Sequence, residues 1–417
     1  MNKKTVRTGI VGAGFSATFH FEAVNKLYGT SAEVIGVYCR TKERREAFAQ
    51  KRGIRAFDSL EALLDKVDVI HVCTPPVSHE PVAIAALERD KFAIVEKPLT
   101  GYFGPPAPAS SCRRQERGQE GGEDFNGETF GKQQVLDKAL ASIERMLEAE
   151  QKGKGKILYA ENWVYAPSIQ KEREIIEKTG AQILWMYGEE AHSGSHATTY
   201  GFWKFSGGGV MLSKGCHPLT GALYLKRAEA PLLASGKRQG GRNNKPIRPK
   251  TVSARTHALT RMKNFRDEGH IRANYHDIDD FSIMHVVFED GTVADIVASD
   301  ILLGGIHNWL EVCANNHRTI CNINPNTAMQ TYNPVDENFK DIYVVEKTGT
   351  KQGWSTPSPD EDWFTGYPQE IEAFYRTVAY GEPVESDSRL AADCISTIYS
   401  AYVSAEKAGA EVPIKVF

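Results

Sequence analysis

Short apolar runs alternate with stretches of helical spacing along the first hundred residues. Positions 6–11, 34–38, 67–73 and 92–95 read as strands that are almost continuously apolar, the pattern of a sheet covered on both faces. Positions 15–27, 42–52, 60–64 and 79–89 carry the spacing of helices. Strands and helices alternating at this length predict an α/β architecture with a parallel, doubly wound sheet.

The alternation stops at Tyr102. Residues 102–129 are rich in Pro, Gly, Ser and charge and have no periodicity, so they read as an inserted surface loop. Helical spacing returns over 130–150, and a further strand is expected at 157–161. Beyond it the texture changes. Strands are expected at 182–190, 251–257, 280–289, 292–300 and 309–314, with a hairpin turn at Glu289-Asp290-Gly291-Thr292. Residues 237–250 read as a solvated basic loop, and 367–380 and 388–407 as two closing helices. The expected organisation is a nucleotide-binding domain over 1–156, carrying the insertion, and a second α/β domain over 157–417 with a large, open, mostly antiparallel sheet.

Composition narrows the field. With 417 residues, 41% hydrophobic and 25% charged, the chain has material for two cores. A net charge of −3 offers no basic footprint, so neither nucleic acid nor an acidic membrane is expected as a partner. No apolar run reaches the roughly 18 residues of a membrane span, and no signal segment is read before the first strand. The seven cysteines are odd in number, scattered and free of CxxC pairs; they read as reduced thiols of a cytoplasmic protein, with no metal site expected.

Gly12-Ala13-Gly14-Phe15-Ser16-Ala17 follows the first strand and opens the first helix. Two glycines there permit a tight turn and close approach of a pyrophosphate, and the small Ala17 lets helix and strand pack. The free N–H groups of the helix start would face the phosphates. This predicts a Rossmann domain binding a nicotinamide dinucleotide. After the second strand comes Cys39-Arg40-Thr41-Lys42-Glu43-Arg44, with no acid at the position that takes the ribose hydroxyls. Arg40 or Arg44 would suit a 2′-phosphate, which favours NADP over NAD. Thr74 and Pro75 follow the third predicted strand, at the edge where ligands bind, and His79 either joins them or caps the next helix.

The fourth predicted strand ends in Glu96-Lys97-Pro98. With the glycine turn, Thr74-Pro75-Pro76, His79 and the later run from Gly207-Gly208-Gly209 to His217, it makes the chain resemble the Gfo/Idh/MocA oxidoreductases. The resemblance runs over nearly the whole chain except 102–129 and 237–250. It implies reversible oxidation of a secondary alcohol on a sugar, glycoside or cyclitol, in a cleft between the domains. It also implies a homo-oligomer, a dimer or tetramer, assembled through the second domain's sheet.

Hydride transfer from a carbinol needs a base for the hydroxyl proton, and Lys97 is the first candidate, as the resemblance also implies. A lysine beside a cationic nicotinamide ring has its pKa lowered toward neutrality. His217 is the second. Many family members carry Asp four residues before this histidine; here Ser213 stands in its place. Three readings stay open: His217 acts alone, Lys214 contributes, or His217 only binds substrate. His192 and His196 read as groups recognising substrate hydroxyls, and Tyr165 and Trp203 as further substrate contacts. His257, His270 and His307 are isolated and read as structural. The alternatives are an enzyme that retains its cofactor and cleaves or isomerises glycosides through transient oxidation, and a non-catalytic sensor on the same fold.

Overall fold

The computed structural model describes residues 3–105, 125–195, 197–229, 246–324, 329–345 and 347–417. The insertion expected at 102–129, the basic loop at 237–250 and His196 fall largely or wholly outside these residues. The chain forms two compact units. The first comprises 1–102, 137–162 and 367–392, and the second comprises 103–136, 163–366 and 393–417.

The first unit holds a six-stranded sheet. Its strands are β1 (Thr5–Val11), β2 (Ser31–Tyr38), β3 (Arg55–Ala56), β4 (Val69–Val72), β5 (Phe92–Glu96) and β6 (Ile157–Ala160). They lie in the order β3-β2-β1-β4-β5-β6, and every pairing is parallel. This is the doubly wound order, with its switch point between β1 and β4. The first four helices are α1 (Phe15–Val24), α2 (Lys42–Arg52), α3 (Leu60–Leu64) and α4 (His79–Leu87). α1 stops short of the expected Leu27, and α4 short of Arg89. Local chemistry sets other ends: Ser59 caps α3 by accepting the Ala62 N–H at 3.1 Å, and Gly53 closes α2 at φ 65°. β3 has two residues and gave no periodic signal in the sequence. Ile10, Val69, Ile70, Ile94 and Val95 are fully buried, each contributing about 1.5–3 kcal/mol of apolar burial.

The helices that follow are α5 (Lys132–Lys152), α6 (Pro167–Thr179), α7 (Trp203–Ser206), α8 (Val210–Ser213) and α9 (Cys216–Ala228). The second unit's large sheet is built from β7 (Ile183–Ala191), β8 (Pro249–His257), β9 (Phe281–Phe288), β10 (Val293–Ser299), β11 (His307–Ala314) and β12 (Arg318–Asn324). β13 (Thr331–Asn333) pairs only with β14 (Gly353–Ser355). After α10 (Glu361–Thr365), α11 (Tyr367–Tyr380) and α12 (Ser388–Glu406), β15 (Val412–Pro413) joins the large sheet. The order is β12-β11-β7-β10-β9-β8-β15, antiparallel except for the β7–β10 pair. Strand positions alternate cleanly: Met284, Val286 and Phe288 are buried while Ile283 is exposed. The expected hairpin joins β9 to β10, with Gly291 at φ 83°. β12 was not anticipated: its buried positions hold Cys321, Ile323 and the polar Asn324 while the apolar Ile320 faces outward, so the alternation is blurred.

No helix among the described residues is long and apolar enough to cross a membrane.

Candidate active site

In the first unit, the turn after β1 has the properties a dinucleotide needs. Gly12 sits at φ 118°, and a Cβ there would lie 2.7 Å from the Cys73 carbonyl carbon, closer than side chains approach. Only glycine lets β1 leave the sheet so close to the end of β4. Gly14, the N-cap of α1, provides no side-chain cap, and a Cβ built on it meets nothing within 4 Å. The start of a ten-residue helix therefore faces open space with its N–H groups not capped by a side chain. Ala17 is fully buried among Ile10, Val37, Phe48, Ala49 and Cys73, so the third small residue of the motif sets helix–sheet packing. Phe15 projects into solvent at 72% exposure, and Ser16 is half-buried.

The far side of the switch point supplies Thr74 and Pro75. The Thr74 hydroxyl oxygen is buried and has no hydrogen-bond partner among the described residues, an orphan a ligand would satisfy. His79 is fully buried, with its ring nitrogens 2.8 Å from the Pro98 carbonyl and 3.0 Å from the Thr74 carbonyl. It ties the Thr74 turn to the Glu96-Lys97-Pro98 turn, so its ring nitrogens are committed to the backbone. Burial lowers its pKa. The Lys97–Pro98 peptide is cis, and the Lys97 N–H donates to the Glu96 carboxylate at 3.1 Å. Past β2, Arg40, Thr41 and Arg44 are exposed, and Arg40 reaches the Ser78 hydroxyl at 3.4 Å. Cys39 bonds through its thiol to the Thr41 carbonyl. The uncapped helix start, the open Gly14 and the orphan Thr74 hydroxyl fit a dinucleotide.

In the second unit, polar groups gather at the carboxyl ends of the parallel pair β7 and β10. α9 lies on β7 at Gly188, where a Cβ would come within 2.7 Å of Pro218. That close seat brings His217, in the first turn of α9, to 3.6 Å from the Glu190 carboxylate, both groups buried. Trp163 stacks on the His217 ring at 6.0 Å between centroids. Lys214 forms an ion pair with Asp300, just past β10, and Tyr275 donates its hydroxyl to the same carboxylate. Burial and the Asp300 charge push the Tyr275 phenol far up. His192 lies 3.7 Å from Asp300, and its Nδ1 accepts the Gly194 N–H at 2.9 Å.

Ser213 and His217 lie on separate helices, α8 and α9, with Lys214 and Gly215 between, and Pro218 falls within the first turn of α9, where proline is tolerated. Trp203 is 2% exposed and packs on Tyr402 and under the Lys132 ammonium, which places it in the interior. Tyr165 is likewise buried, at 3%. Asp300 and Tyr275 were missed; the one available signal was an acid ending a predicted strand. Asp277 and Asp279 were missed as well. Asp277 takes the backbone N–H groups of Gly127 and Trp203; Asp279 takes the Met211 N–H and the Tyr402 hydroxyl. Asp277 and Asp279 thus hold the backbone on either side of the glycine run that precedes His217, at Trp203 and at Met211.

Comparison with known proteins adds to this geometry. Residues 6–109 match the family described as "Oxidoreductase family, NAD-binding Rossmann fold". The match is confined to this stretch, about a quarter of the chain. Over 95 residues the chain is 34% identical to the UDP-N-acetylglucosamine 3-dehydrogenase of Acidithiobacillus ferrooxidans, covering 23% of this chain and 29% of that protein. The chain thus spans under a third of the length of that relative. Solved structures share the fold over nearly the whole chain. GenD2 from gentamicin A biosynthesis, in complex with NAD, superposes with a TM-score of 0.73 at 19% identity, covering 99% of this chain and 97% of that one. The myo-inositol dehydrogenase of Lactobacillus casei, in complex with NAD(H) and myo-inositol, gives 0.66 at 18% identity, covering 99% and 98%.

Proposed function

We propose that the protein is a nicotinamide-dependent oxidoreductase acting on a secondary alcohol of a sugar, glycoside or cyclitol. The observation that carries this reading is the uncapped start of α1 facing open space at Gly14, beside the orphan Thr74 hydroxyl. Matches to dehydrogenases of nucleotide sugars and inositols support the substrate class. When bound, the nicotinamide supplies or accepts hydride. The residues of this chain do the rest. Gly12, Gly14, Phe15, Ser16 and Ala17 form the pyrophosphate turn, with Thr74 and Pro75 across from it, and His79 holds the Thr74 turn in place. Lys97 exchanges the hydroxyl proton, as a lysine beside the cationic ring can near neutrality.

The second unit's polar cluster binds the polyol. Glu190 orients His217 as a carboxylate partner, and Asp300 fixes the Lys214 ammonium, two anions compensating for Ser213 where many relatives have Asp. Arg40 and Arg44, with no acid at the end of β2, favour a 2′-phosphorylated cofactor. The free thiols of Cys39, Cys73, Cys216, Cys313, Cys321 and Cys394 suit the cytoplasm. The outward sheet face bearing Trp185, Ile283 and Ile320 suits a homo-oligomer.

The test is a titration with NADH and NADPH, followed by a polyol panel read at the nicotinamide absorbance band. Saturable binding and turnover with a member of the panel are expected. Binding of neither cofactor would overturn the proposal.

A further inference from the structure

Deep in the first unit, hydrogen bonds join five side chains from five elements. Glu96 Oε1, at the end of β5, lies 3.0 Å from His20 Nε2 on α1. His20 Nδ1 lies 2.7 Å from His71 Nδ1 on β4. His71 Nε2 lies 3.0 Å from the Tyr375 hydroxyl on α11, which lies 2.6 Å from the Thr8 hydroxyl on β1. His20, His71, Tyr375 and Thr8 are at most 2% exposed. The second Glu96 oxygen takes the N–H of Lys97. The chain therefore ends on the backbone of the proposed base.

With Glu96 ionised, as His20 beside it favours, counting hydrogens limits the chain to two complete states. Each of its contacts holds one hydrogen. With Glu96 ionised and both rings neutral, every donor points the same way: Thr8 to Tyr375, Tyr375 to His71, His71 to His20, His20 to Glu96. One added proton makes His20 an imidazolium, which donates to Glu96 and to His71. His71 must then carry its hydrogen on Nε2 and donate to Tyr375, and Tyr375 donates to Thr8. The states differ by a single proton and by the tautomer of His71.

We propose that this chain holds one exchangeable proton at His20, and that His20, His71 and Tyr375 are positioning residues for Lys97, acting through the Glu96 carboxylate. Its consequence for catalysis rests on the role given to Lys97 above. The groups facing the histidine pair are Glu96 on β5, Cys73 at the end of β4, Glu370 and Tyr375 on α11, with Lys97, His79 and Glu161 around the carboxylates. Burial works against the His20 imidazolium, but Cys73 and Glu96 outweigh it and hold its pKa well above the ordinary value. Burial and the His20 charge pull His71 well below its own. Burial also pushes Glu370 well above the usual carboxylate range. A rise in pH through the His20 transition reverses the chain.

The experiment is long-range proton–nitrogen correlation spectroscopy of the full-length, histidine-labelled protein over a pH series, with Lys97 labelled on its backbone amide. The His20 imidazolium is expected to persist well above the ordinary histidine value of about 6.5. His71 stays neutral with its hydrogen on Nε2 and moves it to Nδ1 at the His20 midpoint. The Lys97 amide shifts with that same midpoint. In Glu96→Gln the midpoint falls by at least about two pH units. Should that variant not fold, the wild-type series decides alone. A His71 tautomer that ignores the charge of His20 overturns the chain, and an unresponsive Lys97 amide overturns the positioning role. Both readouts are independent of turnover. A protein that shows them yet binds no nicotinamide dinucleotide refutes the proposed function and keeps the chain.

Discussion

Replacing Gly14 by serine should move stability and cofactor affinity in opposite directions. Gly14 has φ −103°, a value open to any residue, and a Cβ there meets nothing within 4 Å. Serine also supplies the side-chain cap that α1 lacks, worth a few tenths of a kcal/mol over glycine. The melting temperature of Gly14→Ser is therefore expected to hold or to rise by roughly 1 °C. The same hydroxyl occupies the space and the N–H groups assigned to the pyrophosphate. Loss of one charge-assisted hydrogen bond, about 1.5–3 kcal/mol, weakens dinucleotide binding roughly 10- to 150-fold.

Gly12→Ala is the contrasting variant. It forces a side chain onto φ 118°, at about 1–3 kcal/mol. Overlap with the Cys73 carbonyl adds a further ~1–3 kcal/mol of overpacking. The fold itself should suffer, with melting lowered by roughly 5–20 °C. Thermal melts and fluorescence titration with NADH and NADPH measure both quantities. If Gly14→Ser binds cofactor as tightly as wild type, or melts as low as Gly12→Ala, the assignment of this turn to the pyrophosphate is wrong.

Lys97→Ala should lower turnover about 10²- to 10⁴-fold while the dinucleotide dissociation constant, measured in parallel, changes little. Arg40→Ala and Arg44→Ala are expected to weaken NADPH roughly tenfold at whichever arginine meets the 2′-phosphate, with NADH affinity unchanged in the same titration. Asp300→Asn leaves the Lys214 ammonium buried without its anion, and should cost about 3–5 kcal/mol in urea unfolding. Burial raises the Asp279 carboxyl from 3.8 to about 6, so the folded protein holds a proton there that the unfolded chain releases. This group's contribution is complete below about pH 4 and declines as pH rises toward 6; Asp279→Asn should gain on wild type by up to about 3 kcal/mol over that window, read from paired urea titrations.

Much of the first unit was legible in the sequence because its requirements are local. A backbone that must adopt positive φ against a neighbouring strand needs glycine, as at Gly12, and a helix seated tightly on a sheet needs a small residue, as at Ala17. Apolar runs four to seven residues long, separated by helical spacing, point to a parallel, doubly wound sheet. The antiparallel sheet was visible in part, through alternation and the Asp290-Gly291 turn. What stayed hidden depends on groups far apart in the chain. Lys214 finds Asp300 only because β7 and β10 run parallel and α9 seats on Gly188. Trp203, with the look of a pocket wall, is interior because Tyr402 and Lys132 come to it from remote segments. The return of residues 367–392 to the first unit, which delivers Tyr375 to His71, leaves no trace in composition or period. Local backbone chemistry can be read one residue at a time, whereas the partner of a buried charge is decided by how the sheets are ordered.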